Sequence, residues 1–307
     1  MEKNLKLVGI ETGGEHMVVA ISEGDKVISR WECATTSDSK AVIEKVIAHI
    51  QEESAKIGGI DAIGIASFGP IDPNPASKTY GYITTTPKPG WGMTDVVGPI
   101  KAAFGESVPI GFDTDVNGAA VAELAARPEL SNCVYITVGT GVGAGIIVDG
   151  RPVHGMLHPE SGHIMVPRAD GDDFVGSCPF HKCCVEGMVA SGALTKRLGI
   201  LREKLPEVSD DDPVWPFVAH YLAHLCAILV MTVSPEVIIL GGGIMKRTCL
   251  FPLIRKKMRE ILNGYIKTPQ IIEGDLIDSY IVPASFGSDT GVRGALELAN
   301  MAYKQKH

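Results

Sequence analysis

One pattern of strands and glycine turns occurs twice in this chain and constrains its fold more than any other feature. Near the N-terminus, a buried strand at residues 5–10 leads into the turn "GIETGG", a strand "MVVAIS", the turn "EGD" and a strand "KVISRW". The same order returns with "CVYITV", the turn "GTGVG", a strand at 144–148, the type I′ hairpin signal Asp149–Gly150 and a returning strand. The sequence therefore predicts two copies of one α/β unit.

Further helices and strands complete each copy. Apolar residues at helical spacing predict helices at about 38–56, 116–126, 213–233 and 290–304, and buried strands are predicted at 60–66, 108–112 and 236–240. A length of 307 residues suits two domains. We expect an N-terminal α/β domain at residues 1–120 and a C-terminal α/β domain at 121–290. Whether the last helix, about 290–307, packs back on the first domain stays open.

Charge and apolar content argue against several classes of protein. The net charge of −8 is unlike that of nucleic-acid-binding proteins, which carry basic patches, and it does not favour binding to anionic membranes. The first residues lack the apolar segment of a signal peptide, and the most apolar stretch, 225–233, is too short to span a bilayer. The chain has seven cysteines. Without an export signal, we expect a cytoplasmic protein whose cysteines bind metal or act in catalysis.

Three glycine-rich turns follow predicted buried strands, at residues 9–14, 138–145 and 240–245. Glycine allows backbone N–H groups to approach an anion closely. Each turn alone is equally consistent with a tight hairpin, but three turns in two related units favour a nucleotide whose phosphates bind between hairpins. No segment fits the P-loop pattern, and "GTGVGAG" leads into a strand instead of the helix that a dinucleotide site requires.

Two aspartates follow a predicted strand in "FDTDVNGAA". Asp113 and Asp115 stand at the carboxyl end of that strand, where α/β sheets bind ligands. An aspartate at this position can accept the proton of a substrate hydroxyl that attacks phosphorus. Both residues are also good helix N-caps, and for both this alternative stays open.

A cluster of histidine and cysteine occupies the segment from "HPESGH" to "SCPFHKCCVEG". His163, Cys178, His181 and Cys184 form a ligand set with the internal spacing Cys-x-x-His-x-x-Cys, which favours a structural zinc ion. Cys183 is left out, because neighbouring side chains rarely both reach one ion. Buried apolar cysteines with a capping histidine are the alternative, and a redox pair is weaker because a C-x-x-C motif is missing.

These motifs together resemble the ROK family of sugar kinases and repressors. The resemblance covers residues 7–298, is closest to the bacterial zinc-containing fructokinase branch, and depends most on "TPKPGW" and the "HPESGH" and "CPFHKCCVEG" segments. It implies a duplicated ribonuclease-H-like, actin-like ATPase fold with two domains and a central cleft. It also implies two small-molecule partners, a sugar and ATP, with Mg²⁺ as a cofactor. A structural Zn²⁺ is implied in a zinc-binding loop at 158–187. It allows a homodimer, since relatives are often dimers.

The resemblance assigns site residues by their position in the family motifs. Asp115 is implied as the catalytic base, and the zinc ligands are His163, Cys178, His181 and Cys184. The implied sugar-binding residues are Gly69, Pro70, Thr114, Asp115, Glu160, His163 and Glu186. The implied nucleotide-binding residues are Gly13, Gly14, Gly139, Thr140, Gly141, Gly241, Gly242, Gly243, Ile244 and Met245.

The implied activity is ATP-dependent phosphorylation of a hexose, most directly D-fructose to fructose 6-phosphate. Alternatives are a kinase of the same family for mannose, glucose or an N-acetylated amino sugar, and a catalytically weakened sugar-binding relative. The repressor branch is not expected, because only about four residues precede the first strand, which leaves no room for a helix-turn-helix.

Three positions depart from the family pattern. Glu11 and Glu15 stand in "ETGGE", where relatives read D-x-G-G-T, and two carboxylates there are expected to oppose phosphate binding unless magnesium or a turned-away side chain compensates. Thr114 replaces an asparagine found in many glucose-specific relatives and weakly favours fructose.

Overall fold

A computed structural model describes residues 4–307 and separates the chain into two units. The first unit contains the residues up to Arg127 together with Arg151–His158 and Ser288–His307, and the second contains Pro128–Gly150 and Pro159–Gly287. This division differs from the predicted one, because the expected border at residue 120 lies inside a continuous helix. The return segment Arg151–His158 also belongs to the first unit, although nothing in the local sequence pattern indicates this.

The described residues form both strands and helices in each unit. In chain order the strands are β1 (Lys6–Thr12), β2 (His16–Glu23), β3 (Lys26–Ala34), β4 (Ala62–Ser67), β5 (Tyr82–Ile83), β6 (Thr94–Asp95), β7 (Ile110–Thr114), β8 (Cys133–Val138), β9 (Val142–Val148), β10 (Arg151–Pro152), β11 (Val237–Gly241) and β12 (Ile281–Pro283). The α-helices are α1 (Ser39–Ile57), α2 (Val97–Phe104), α3 (Asp115–Ala125), α4 (Val185–Val189), α5 (Ser191–Leu198), α6 (Val214–Val233), α7 (Leu250–Leu262), α8 (Pro269–Ile272), α9 (Ile277–Tyr280) and α10 (Thr290–Lys306).

The sheet of the first unit has the order β3-β2-β1-β4-β7. Strands β1, β2 and β3 form an antiparallel meander, whereas β4 and β7 run parallel to β1. Strand β4 is buried along its whole length, as expected for a parallel strand covered on both faces. The parallel strands therefore all end at one edge of the sheet.

Helix α1 covers one face of this sheet. Its buried residues, Val42, Ile43, Val46 and Ile50, recur at helical spacing and join the main apolar core of the unit. The helix begins where Asp38 Oδ1 accepts a hydrogen bond of 3.0 Å from the amide of Ala41.

Helix α10 packs on the first sheet and contacts β1, β4, β7 and α3. The approach is close: a Cβ atom on Gly64 of β4 would lie 1.9 Å from the carbonyl oxygen of Ala295. Only glycine lets the helix backbone reach the strand at this point. The C-terminal helix is thus an integral layer of the first unit.

The second unit repeats the arrangement. Strands β9, β8, β11 and β12 are adjacent in that order, β8 and β9 are antiparallel, and β11 runs parallel to both β8 and β12. Helix α6 packs against α4 and α7. It is long and apolar enough to cross a membrane, with a mean hydropathy of 1.7, yet 56% of that stretch is buried within the protein. The apolar stretch read from the sequence at 225–233 is therefore only the second half of a longer helix.

Candidate functional site

The predicted site residues of the first unit collect where its parallel strands end. The register pairs Thr12 of β1 with Ser67 of β4, and Ser67 with Thr114 of β7. The hydroxyl of Thr12 donates a buried hydrogen bond of 2.7 Å to Ser67 Oγ. Because ligands bind outside the carboxyl ends of parallel strands, this edge is the candidate site. The predicted site residues beyond the three strands are Gly13 and Gly14 after β1, Gly69 and Pro70 one residue after the end of β4, and Asp115 after β7.

Asp115 occupies the first turn of α3. The N-cap of this helix is Thr114, whose hydroxyl accepts a hydrogen bond of 3.0 Å from the amide of Asn117. The capping alternative therefore applies to neither of the two aspartates considered from the sequence. Burial raises the pKa of Asp115 to about 6, against an opposing hydrogen bond of 2.9 Å from the amide of Val116.

Glu11 lies at the same edge, in β1. Burial raises its pKa to about 7, and the nearby carboxyl of Asp115 adds to this shift, whereas Arg30 opposes it. A Cβ atom on Gly291 would lie 2.2 Å from Glu11 Oε1, so the carboxyl group packs against the start of α10. Two carboxyl groups with raised pKa values therefore lie at this edge, and shifted pKa values of this kind are common at functional sites.

Asp113 is buried and holds the strand–helix junction in place. Its Oδ1 accepts hydrogen bonds of 2.7 Å from the amide of Thr114 and 2.7 Å from Asn117 Nδ2. His154 Nε2 lies 3.0 Å from Asp113 Oδ2, and this hydrogen bond raises the pKa of His154. From the sequence, Asp113 was predicted only as a base or a helix cap, and no role was predicted for His154. The pair connects the return segment Arg151–His158 to the residue preceding Thr114 and Asp115.

His158 makes a second contact between the same return segment and the rest of the first unit. It is buried, and its Nε2 accepts a hydrogen bond of 3.1 Å from the amide of Ile71. Ile71 follows Gly69 and Pro70, which are joined by a cis peptide bond. The first histidine of "HPESGH" thus supports a predicted sugar-binding loop, a role that sequence reasoning missed.

Lys88 reaches the first glycine turn from the "TPKPGW" segment. Its ammonium group donates a hydrogen bond to the carbonyl oxygen of Gly14. Trp91, the last residue of the same segment, is fully buried and donates a hydrogen bond of 2.7 Å to the carbonyl of Thr36. A cation therefore lies at the turn that carries Glu15, whose side chain is exposed.

In the second unit, the hairpin β8–β9 and the loop after β11 lie side by side. The hairpin turn is closed by a hydrogen bond of 2.9 Å from the amide of Gly139 to the carbonyl of Gly141. Gly242 has φ +89, and a Cβ atom there would lie 2.5 Å from the carbonyl oxygen of Val138, so this position requires glycine. The predicted nucleotide-binding residues of this unit, Gly139, Thr140, Gly141 and Gly241 to Met245, therefore adjoin one another.

The histidines and cysteines predicted as metal ligands converge. One ligand atom from each of His163, Cys178, His181 and Cys184 lies within 4.8 Å of all the others. His163 Nδ1 is 3.8 Å from Cys178 Sγ and 3.6 Å from Cys184 Sγ, and His181 Nδ1 is 3.8 Å from Cys178 Sγ. Tetrahedral zinc, with bonds of about 2.0 Å to nitrogen and 2.3 Å to sulfur, would separate such atoms by about 3.5 Å. The donor set and its spacing fit this ion.

The two clustered thiols favour a cation electrostatically. Burial raises the pKa of Cys184 to about 12, and the neighbouring Cys178 adds to the effect. Thiolates in this position therefore need a compensating positive charge, which a bound metal ion supplies. Cys183, which was excluded on sequence grounds, lies outside the group of four.

Glu186 connects this cluster to the hairpin β8–β9. Its Oε2 accepts a hydrogen bond of 3.0 Å from the amide of Val142, and its Oε1 lies 3.9 Å from His163 Nε2. His163 thus directs one ring nitrogen at the cysteines and the other toward Glu186. Glu160 is exposed and precedes the 3₁₀ helix Ser161–His163, whose last amide bonds back to the Glu160 carbonyl at 3.0 Å.

The repeated sheets and their glycine turns define a class of protein, the duplicated ribonuclease-H-like α/β fold of sugar kinases and actin-like ATPases. A model of the ROK family matches residues 7–302, and the chain belongs to this family. The predicted fold class and family are thereby confirmed.

Individual relatives extend this finding. The chain is 42% identical over 301 residues to a fructokinase from Pediococcus pentosaceus, covering 97% of this chain and 99% of the relative. It is 38% identical over 304 residues to a fructokinase from Zymomonas mobilis, covering 97% and 98%. A solved ROK hexokinase from Thermus thermophilus has the same fold, with a TM-score of 0.79 and 24% identity over 98% of this chain and 100% of that one.

The hydrogen bond between His154 and Asp113 predicts a pH-dependent contribution to stability. Because the pKa of His154 is raised in the folded state, its stabilisation is complete below the unfolded value of about 6.5 and is lost as pH rises through the higher folded value. His154→Asn should therefore lower the Tm more at pH 6 than at pH 9, as measured by scanning calorimetry. Asp113→Asn should abolish the same pH dependence, and equal losses at both pH values would contradict the assignment.

Proposed function

We propose that this ROK-family chain is a fructokinase that transfers the γ-phosphoryl group of ATP to the 6-hydroxyl of D-fructose. The observation that carries the proposal is the 42% identity to a fructokinase over nearly the full length of both chains. The candidate site residues of each unit agree with it, since they supply carboxyl groups, histidines and glycine turns of the kind that phosphoryl transfer to a sugar needs. The cytoplasmic location, the homodimer and the absence of membrane or nucleic-acid partners stay predictions from the sequence.

Asp115 is the proposed general base. Its carboxylate accepts the proton of the attacking sugar hydroxyl, while Thr114, Gly69 and Pro70 at the same strand ends contact the sugar. A base with a pKa of about 6 is ionised at neutral pH and still holds a proton well, which suits this task. Asp113 and His154 act indirectly, by holding the backbone at Thr114.

The second unit is proposed to bind the nucleotide and further sugar hydroxyls. Its hairpin Gly139–Gly141 and the loop Gly241–Met245 present backbone N–H groups to phosphates, as Gly13 and Gly14 do in the first unit. Glu160, His163 and Glu186 are the proposed sugar ligands. Magnesium, when bound with ATP, supplies positive charge that neutralises the phosphates.

The cysteine and histidine cluster is proposed to hold a structural zinc ion. The ion would fix the tautomer of His163 through Nδ1 and leave Nε2–H on the side of Glu186, where it can donate to a sugar hydroxyl. Glu186 follows Cys184 by two positions and is held by the same loop. The metal in this proposal orients the sugar ligands and takes no part in the phosphoryl transfer.

The sugar specificity is tested with a panel of substrates. Turnover of fructose, mannose, glucose and N-acetylmannosamine is measured in a coupled ADP-release assay at saturating MgATP. We expect the highest kcat/KM for fructose, by about tenfold or more, since a site built for particular hydroxyls discriminates strongly. A higher value for another sugar would replace fructose in the proposal, and turnover of none would leave the catalytically weakened relative.

Asp115→Asn should nearly abolish turnover while fructose binding persists. Removing a general base costs about 10² to 10⁴ in rate, so we expect kcat to fall by at least about 10². The wild-type rate should fall as pH drops below about 6, because protonated Asp115 cannot accept a proton. Steady-state kinetics and fructose calorimetry measure these effects, with the exposed Asp25→Asn as a matched control. Near-normal turnover by Asp115→Asn would contradict the assignment.

Metal analysis tests the zinc proposal. The purified chain should contain about one zinc per protein molecule, and Cys178→Ser or Cys184→Ser should lose it and raise the KM for fructose more than the KM for ATP. Cys183→Ser is the control and should keep both the zinc and the activity. Retention of zinc by Cys184→Ser together with its loss from Cys183→Ser would show that the ligand choice is wrong.

A further inference from the structure

Arg202 lies at the tip of the hairpin β8–β9. Its guanidinium Nη2 donates a hydrogen bond of 2.7 Å to the hydroxyl of Thr140, the middle residue of the turn Gly139–Gly141. Both Arg202 and Thr140 are exposed. Neither the sequence motifs nor the family resemblance assigned a role to this arginine.

The short 3₁₀ helix that begins with Arg202 also borders a cavity. The helix, Arg202–Glu207, contributes Leu205 and Pro206 to a cavity of about 310 Å³ whose other lining residues include Trp215, Gly243 and Ile244. This volume lies at the lower end of the range for small-molecule sites. One helix therefore connects the cavity with the tip of the hairpin.

The cavity and the hairpin turn are close neighbours. Gly243 and Ile244 belong to the loop that follows β11, and a Cβ atom on Gly139 would lie 3.9 Å from the amide nitrogen of Gly243. A nucleotide with its nucleoside part in the cavity would therefore extend its phosphates toward the turn at Thr140. Arg202 stands at that end.

Charge makes Arg202 a suitable phosphate ligand. The turn at residues 138–142 contains no lysine or arginine, so it offers phosphate only neutral donors, its backbone N–H groups and the hydroxyl of Thr140. The planar guanidinium group binds phosphate oxygens through two parallel hydrogen bonds. Hydrogen bonds to charged acceptors are stronger than those to neutral hydroxyls, so a phosphate would replace Thr140 as the preferred partner.

We propose that Arg202 is a nucleotide phosphate-binding residue, positioned by Thr140 beside the hairpin turn. The ligand it recognises is the di- or triphosphate of a nucleoside bound in the cavity. This inference rests on the proposed ATP-dependent function and adds to it the cation that the turn itself lacks.

Calorimetric titration of the full chain with ADP and with adenosine tests the inference. The variants are Arg202→Ala, Arg202→Lys and Lys204→Ala. We expect Arg202→Ala to weaken ADP binding about tenfold or more and to leave adenosine binding unchanged, because adenosine has no phosphate. Arg202→Lys should fall between, since lysine keeps the charge but not the paired geometry. Lys204 is the matched control, because it lies in the same helix but pairs with Glu207 at 2.8 Å on the exposed surface.

Salt dependence gives a second measurement. The affinity of the wild type for ADP should fall more steeply with ionic strength than that of Arg202→Ala, because one charge contact is missing in the variant. Unchanged adenosine binding also shows that the variant is folded.

Several outcomes would overturn the inference. Equal ADP affinities for wild type and Arg202→Ala would remove Arg202 from the site. Equal losses for ADP and adenosine would show that the arginine supports only the structure of the cavity. A wild-type protein that binds no ADP would instead overturn the proposed function, and this inference with it.

Discussion

The parallel pairing of β1, β4 and β7 is the interaction on which the first unit's candidate site depends. Its register aligns Thr12, Ser67 and Thr114 across three strands, so that the residues following each strand emerge at one edge. A shift of one residue would move each side chain to the opposite face of the sheet. Helix α10 opposes such a shift, because its backbone fits against Gly64 of the central parallel strand, where any side chain would collide. The C-terminal segment of the chain thus stabilises the register on which the N-terminal residues depend.

The second unit secures its site by a different means. Between residues 159 and 184 the chain has few regular elements beyond the 3₁₀ helix at His163, and isolated bridges join Met165 to Cys184 and Cys178 to Lys182. The middle of this segment is held by Asp172, whose carboxylate accepts hydrogen bonds from Arg197 and from the hydroxyl of Tyr221. The proposed ion, bound by four ligands, would add a constraint at the end of the segment. The hydrogen bond from Val142 to Glu186 connects the residues that follow Cys184 to the hairpin β8–β9.

Local patterns were sufficient to predict the repeated sheets and the converging ligands. The strands follow from short buried apolar runs and α1 follows from helical spacing, and the four predicted cysteine and histidine ligands lie close together in sequence. The contacts that support the site depend on distant residues. His154 and Asp113 are 41 residues apart, His158 and Ile71 are 87 apart, and Arg202 and Thr140 are 62 apart. The periodicity of the sequence does not indicate which distant residues pair. Two of these pairs arise because residues 151–158 return to the first unit, and no sequence pattern predicts that return.

The carboxylates of "ETGGE" show why position matters more than residue type. From the sequence, Glu11 and Glu15 add two like charges to a turn that is expected to bind phosphate. In the structure the two residues differ: burial raises the pKa of Glu11 to about 7, so its charge is much reduced near neutral pH. Glu15 is exposed, where solvent and salt screen its charge.

The ammonium group of Lys88, bound to the carbonyl of Gly14, adds a positive charge beside the same turn. The turn is therefore less negative than its sequence indicates, and the two glutamates alone do not make phosphate binding there unfavourable. This weakens the one argument for a catalytically inactive relative, because that alternative rested on the charge of Glu11 and Glu15. The departure from the family pattern is compatible with a kinase once burial, screening and a neighbouring cation are taken together.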